Sequence, residues 1–415
     1  MERLPERDRK ILRELAGRQC ELAADERNRE RRERILAMHS LKPVRPPVWI
    51  DEIPWHEMDI DGELELHCEN AAARDIECGI RRTLFRWQHF PVDMVVEDAL
   101  YVTKAYEDSG IGVRIRETVL ETDAANPIVS HQYEDQLDSE EKLTKLRIPV
   151  IRARPDQDAS RLEWMQEIFD GVIPVRLRGH GIYHAPWDDI AMLRGAEACL
   201  IDMLERPDFT HAMIGRFTDI AVARYEQMEA QGLLEIHLPS LHCTPPYTSD
   251  LPAPDYDGGP ARLRDIWFRG MAQLLSSVSP ALHNEYDITY MRRLSDRCGL
   301  AYYGCCEPLD RVIPYLKKMP NLRKIGVSPW ADKRSSAEQI GGDYVYASKP
   351  NPAAVATRLD ADAVRAEISE VIELCLEHGC SYEYVLKDIS TVGHRPGNLI
   401  EWARVVMETI DSYYG

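Results

Sequence analysis

Two adjacent cysteines, Cys305 and Cys306, close the run "AYYGCCEPLD" (residues 301–310) just ahead of Glu307. Neighbouring thiols do not bridge each other easily, because their short separation strains disulfide geometry. On an extended segment they point to opposite sides, so one of them faces a given cavity; if the strand stops at Gly304, both can. A free cysteine is often a small buried hydrophobe. The chemical alternative is a zinc thiolate at the C-terminal end of a strand, completed by Glu, His or another Cys. Thiolate-rich zinc is a soft Lewis acid suited to ether or sulfur substrates. Cys306 is the expected thiolate and Glu285 the second ligand, with His283, His242 or Cys305 completing the set. His283 and Glu285 fall in the first two turns of a helix with Ser279 as N-cap, Pro280 at its first position and Gly299 as terminator.

Other chemically capable side chains follow the strand-like runs. "DEIPWHEM" brings Asp51, Glu52, Trp55, His56 and Glu57, and "DMVVED" brings Asp93, Glu97 and Asp98. "HGIYHAPWDD" brings His180, His184 and Trp187; later tips bring His237, His242 and Cys243, then Ser390, Thr391 and His394. Acids, imidazoles and thiols at most strand ends point to one pocket. Glu285, Asp93 and His184 are the candidate catalytic groups. Trp55, His56, Glu97, His180, Trp187 and Tyr303 are the candidate substrate pocket.

The elements that must position them alternate. Strand-like runs occur at 48–50, 93–97, 173–179, 233–239, 300–304, 322–328, 344–348 and 382–390, with "LLSSVS" (274–279) a ninth strand or only a turn. Amphipathic helices such as "DAVRAEISEVIELCLEHG" lie between them. Alternating β and α units imply a parallel sheet, and eight of them a closed (β/α)8 TIM barrel. No glycine-rich phosphate loop follows any strand, so a nucleotide-binding sheet lacks its signature. Residues 1–44 read as a charged helical extension, a long helix or helix pair outside the main core, and 45–415 as the barrel. Residues 108–147 look like a small antiparallel excursion. Residues 240–261, rich in Pro, Gly and Asp, are a candidate lid.

Composition narrows the class. The 415 residues are 44% hydrophobic and 29% charged, with a formal charge of −19, which argues against broad nucleic-acid binding. The basic run "RNRERRER" (27–34) is interleaved with acids and reads as a solvated helix. No apolar run is long enough for a membrane span or a signal peptide, so a cytoplasmic address is expected. Ten scattered cysteines are not a disulfide framework.

"RPPVWI", "DMVVED", "LRGAEACLIDMLERPDFTH", "SPALHNEYDITYMRRLSDRCGLAYYGCCEPL" and "RPGNLIEWARVVME", in that order, resemble the uroporphyrinogen decarboxylase superfamily across about residues 42–415. The resemblance implies a (β/α)8 barrel, often a homodimer. Where the true decarboxylase carries arginines after "RPPVW", this chain carries Asp51, Glu52 and Glu57, which would repel a polycarboxylate. The resemblance therefore points to the zinc methyltransferase branch of corrinoid-dependent methyl transfer. It implies Zn2+, a corrinoid carried by a partner protein, and a methoxylated or methylated small molecule as methyl donor. That branch uses His-x-Cys after a strand and a later Cys. Here Cys305 keeps the Cys register, Tyr303 stands at the His, and Ser390 and Thr391 stand near the later Cys. Two other classes stay open. One is a metal-free decarboxylase or lyase with Asp93 or Glu97 as its acid; the other is a non-catalytic scaffold using the charged N-terminal extension.

Overall fold

A computed structural model describes residues 3–120 and 129–415. Its strands are β1 (Val48–Ile50), β2 (Leu100–Thr103), β3 (Tyr106–Asp108), β4 (Glu117–Leu120), β5 (Ser130–Tyr133) and β6 (Ile151–Ala153). They continue with β7 (Val175–Arg178), β8 (Trp267–Gly270), β9 (Leu300–Tyr303), β10 (Leu322–Val327), β11 (Val345–Ser348) and β12 (Ser381–Leu386). Six of them form one parallel sheet in the order β1-β12-β11-β10-β9-β8.

The sheet is curled. In a flat sheet β9 and β12, three strands apart, would lie about 14 Å from each other. Here Cys306, just beyond β9, reaches Asp388, just beyond β12, with Sγ to Oδ2 at 2.7 Å. Both faces are buried, as a parallel sheet requires. On the outer face Tyr303, Ile325, Tyr346, Tyr384 and Leu386 join the large core with the surrounding helices. The inner face alternates with it and is partly charged: Arg269, Lys324 and Glu383 point into the curl at 2%, 0% and 0% exposure.

The structure differs from an eight-stranded barrel. Residues 93–97 and 233–239 form no strand among the described residues. Asp93 N donates to Val48 O (2.8 Å), and His180 exchanges two backbone bonds with Leu233 and Glu235. The third run, β7, pairs with β2 in a separate two-stranded ladder. "WFRG" is a strand that pattern alone conceals, since Arg269 and Gly270 interrupt its apolar run, yet both are buried. "LLSSVS" is mostly a 3-10 helix, Gln273–Ser277. The excursion within 108–147 contains the antiparallel β4–β5 pair, while β3 pairs with β6 just past it; residues 121–128 of that excursion lie outside the described residues.

The N-terminal segment is a helix pair, α1 (Glu6–Ala23) and α2 (Glu26–His39), and it is not outside the core. Asp25 caps α2 by accepting from Arg27 N. Ile35 and Met38 of α2 are buried with Trp49, Val345 and Val385, closing the N-terminal end of the curl. The 240–261 segment also departs from expectation. Leu241, Cys243 and Thr244 are buried, and Thr244 Oγ1 donates to Glu383 Oε1 (2.6 Å) and accepts from Lys324 Nζ (2.9 Å). The first part of that loop is a plug inside the curl, because its hydroxyl answers an interior ion pair. Among the described residues no helix is long and apolar enough to cross a membrane.

Candidate metal centre

The turn after β9 decides the geometry of the two thiols. The strand ends at Tyr303, and Gly304 takes φ +106°, a conformation costly for any residue with a Cβ. Its backbone packs against Gly326, where an added Cβ would meet Gly304 C and O at 2.9 Å. Glu307 then fixes the turn by accepting from Cys305 N (2.8 Å) and Ala272 N (3.2 Å). With the strand ended, the opposite-face constraint lifts. Cys305 Sγ and Cys306 Sγ lie 3.7 Å apart, on one side.

Three other elements converge there. His242 Nε2 stands 3.9 Å from Cys305 Sγ, and its ring packs on Tyr183 at 4.9 Å between centroids. Glu52, His242 and Cys243 offer ligand atoms all within 4.8 Å of one another. Asp388 joins through Cys306, and its N–H donates to Glu52 Oε2 (2.8 Å). Glu52, His242, Cys243 and Asp388 all have positive φ, four of the seven non-glycine residues that do among those described. Strained backbone gathered at one place is a mark of a functional site.

The electrostatics separate the two thiols. Cys305 is pushed toward the thiolate by its hydrogen bond with Cys306, against burial, with His242, Arg269 and Lys387 also favouring the anion. Cys306 is pushed up by the same pairing, by burial and by the Asp388 carboxylate. Lys387 Nζ holds Asp388 Oδ2 at 2.7 Å and Glu52 Oε2 at 3.8 Å. Beside them Asp188 is lifted to about 6 by burial, then by Glu307 and Asp189.

The donor set fits a metal. The ligand atoms close enough to share one ion are those of Glu52, His242 and Cys243, and the Cys305–Cys306 pair lies beside them. Glu52, His242 and Cys243 supply the mixed O, N and S donors that zinc accepts.

Of the five ligands expected from sequence, the structure brings Cys305 beside Cys306 and beside His242, but the group close enough for one ion is Glu52, His242 and Cys243. It does not bring Glu285 or His283. Ser279 caps its helix through Leu282 N as expected, but the chain passes into a π turn, Asn284–Ile288. Glu285 there is exposed and pairs with His211 (3.1 Å). His283 is buried on the outer face of the sheet, its Nε2 2.7 Å from Tyr303 Oη. Tyr303 is a core residue that donates to Asp287, not a pocket residue.

The remaining candidates scatter. Asp93 is bound by Arg34 and by Arg45 (3.5 Å) and accepts from Val48 N (2.8 Å), at the opposite end of β1 from Glu52. Glu97 is paired with Arg178. His180 Nε2 is 2.7 Å from Lys104 O. Trp187 is fully buried and donates to Tyr286 O. Trp55 lies under Arg82, and His56 beside Glu57. Glu57 itself ties down the last loop, accepting from Thr391, Val392 and His394. His184 lines a cavity of about 570 Å³ together with Tyr183, Asp188, Asp189 and Arg224. That cavity adjoins the thiol cluster through Tyr183 and Asp188. Sequence reading passed over Lys387 and Asp388, whose signal was a polar pair directly after the apolar run of β12.

No family model matches this chain, and no curated protein does. A solved structure, a methyltransferase from Methanosarcina mazei, is similar over 93% of this chain and 99% of that one, at 13% identity and a TM-score of 0.48. Likeness at that identity and score carries no inference about chemistry.

Proposed function

We propose that this protein is a zinc-dependent methyltransferase that removes a methyl group from a methoxylated or methylated small molecule. The observation that carries the reading is the group Glu52, His242 and Cys243, whose ligand atoms all lie within 4.8 Å of one another, with the Cys305–Cys306 pair beside it, 3.9 Å from His242. The ordered motifs shared with the uroporphyrinogen decarboxylase superfamily support the same class. In this reading Glu52, His242 and Cys243 would hold the metal, which would supply Lewis-acid chemistry toward the heteroatom that carries the methyl group, with a corrinoid on a partner protein as the acceptor.

The chain's own residues have definite tasks. Glu307 and Gly304 hold the thiol turn, and Tyr183 holds the His242 ring. Lys387 holds Asp388 and Glu52 in place. Asp188, lifted to about 6 by burial in the adjoining cavity, is placed to carry the proton that a departing alkoxide or amine takes up. The lyase alternative loses its acids, since Asp93 and Glu97 are both committed to arginines.

The test is elemental analysis of the purified parent beside Glu52→Ala, His242→Ala and Cys243→Ala, followed by methyl transfer to cobalt(I) corrinoid. The parent is expected to hold stoichiometric zinc, and each variant to lose metal and activity together, because affinity of a four-coordinate site depends on every ligand. A packing cysteine would instead cost about 1 kcal/mol and leave metal untouched. A parent without zinc, or a Cys243→Ala protein with its full complement, overturns the reading. A zinc protein without transfer would be a scaffold.

A further inference from the structure

We propose that the interior of the curl, beneath the thiol cluster, binds a carboxylate through Lys349 and Arg269, so that the substrate is a small methylated carboxylic acid. Both cations are buried, at 4% and 2% exposure. Neither has a carboxylate oxygen within 4 Å among the described residues. Arg269 Nε has no hydrogen-bond partner, and the side-chain group that Lys349 Nζ faces is the neutral Tyr302 hydroxyl. The guanidinium's other nitrogens reach only Gly270 O and Met271 Sδ. Between the two cations stands Tyr302, fully buried, its ring 4.3 Å from Arg269 Cζ and 5.5 Å from Lys349 Nζ. Its hydroxyl faces Lys349, and that of buried Ser328 is without a partner.

Neighbouring cations are treated differently. Lys324 is paired with Glu383 at 2.8 Å, and Lys387 with Asp388 at 2.7 Å. Glu383 acts on Lys349 through space, and its Oε2 is itself unpartnered. The fold thus satisfies two interior ammonium groups and leaves one, with a guanidinium, two hydroxyls and no contacting anion. Buried charges are normally paired. A planar carboxylate matches a guanidinium and an ammonium better than a neutral group does. The location suits a substrate anchor. Tyr302 precedes Cys305 by three residues, so anchor and thiols are separated by about 10 Å or less along the strand.

The proposal rests on the methyl-transfer reading only in making the anion part of the methyl donor; the binding itself needs no metal. Calorimetric titration of the full chain, before and after chelation, would compare methoxyacetate with its uncharged counterpart 2-methoxyethanol. Methoxyacetate is expected to bind about tenfold tighter or more. Lys349→Met should abolish the preference, and Lys349→Arg should keep much of it, with zinc content unchanged in both. Tyr302→Phe, which removes a single neutral hydroxyl facing Lys349, is a second variant that should fold and weaken methoxyacetate by about threefold. Equal binding of the two compounds by the parent means that these groups serve only water, and overturns the proposal. So does a preference that survives Lys349→Met; if that variant does not fold, a preference unaffected by Tyr302→Phe does the same. A zinc-free parent that still prefers the anion would sink the metal reading and leave this one standing.

Discussion

Replacing Lys324 by Met should destabilise the protein far more than replacing Lys324 and Glu383 together. Both side chains are fully buried inside the curl, Nζ to Oε1 at 2.8 Å, with Thr244 bonded to each. Lys324→Met leaves a buried carboxylate without its ammonium, a change that costs about 3–5 kcal/mol. The pair is nevertheless a poor bargain with water. Burial, ahead of the attraction of Glu383, pulls Lys324 from 10.5 down to about 8. That drop corresponds to about 3 kcal/mol against the charged form. Lys324→Met with Glu383→Leu removes both desolvation costs, and loses Thr244's two bonds at about 1 kcal/mol each. The double variant should therefore lie within about 1–2 kcal/mol of the parent. Urea unfolding of the parent, both single variants and the double variant measures the cycle. Zinc content of the same samples reports whether the plug loop still presents His242. Single substitutions costing under about 1 kcal/mol, or a double variant as unstable as the sum of the singles, would refute the reasoning.

Two more outcomes are expected. Burial, with Arg224 nearby, lowers His184 from 6.5 to about 4. Below pH 6.5 the unfolded chain takes up a proton that the folded chain refuses, so this contribution is intact above 6.5. It falls by up to about 3 kcal/mol as the pH drops toward 4. Urea unfolding across that window should show a shallower slope for His184→Gln, and an unchanged slope would exclude His184 as the cause. Gly326→Ala should push on the Gly304 turn, costing about 1–3 kcal/mol and lowering zinc occupancy through Cys305 and Cys306. Full occupancy in a folded Gly326→Ala protein would show that the turn does not need that close approach.

Several features were legible in the chain itself, because they are local. The β9 to β12 runs are short, apolar and bounded by breakers, and all four are strands of one parallel sheet. Ser279 caps its helix and Pro280 opens it, as their side-chain chemistry dictates. Gly304 is where β9 stops, so the condition under which both thiols share a side could be written from "YYGCC" alone.

What met those thiols was not local. His242 lies 63 positions before Cys305, and Asp388 lies 82 after Cys306. Proximity along the chain favoured Glu285 and His283, but a helix sends side chains around its whole circumference. The π turn left Glu285 in solvent with His211, and His283 against the outer face of the sheet. Only the curl of the sheet brings the ends of β9 and β12 together, and the 240–261 loop is held inward by Thr244 on the buried Lys324–Glu383 pair, by Trp267 donating to Pro246 O, and by Leu241 and Leu251 in the core. Residue types and strand ends are properties of short segments. Which strand ends meet is set by sheet curvature and by interior charges that must find partners, and those exist only once the whole chain has folded.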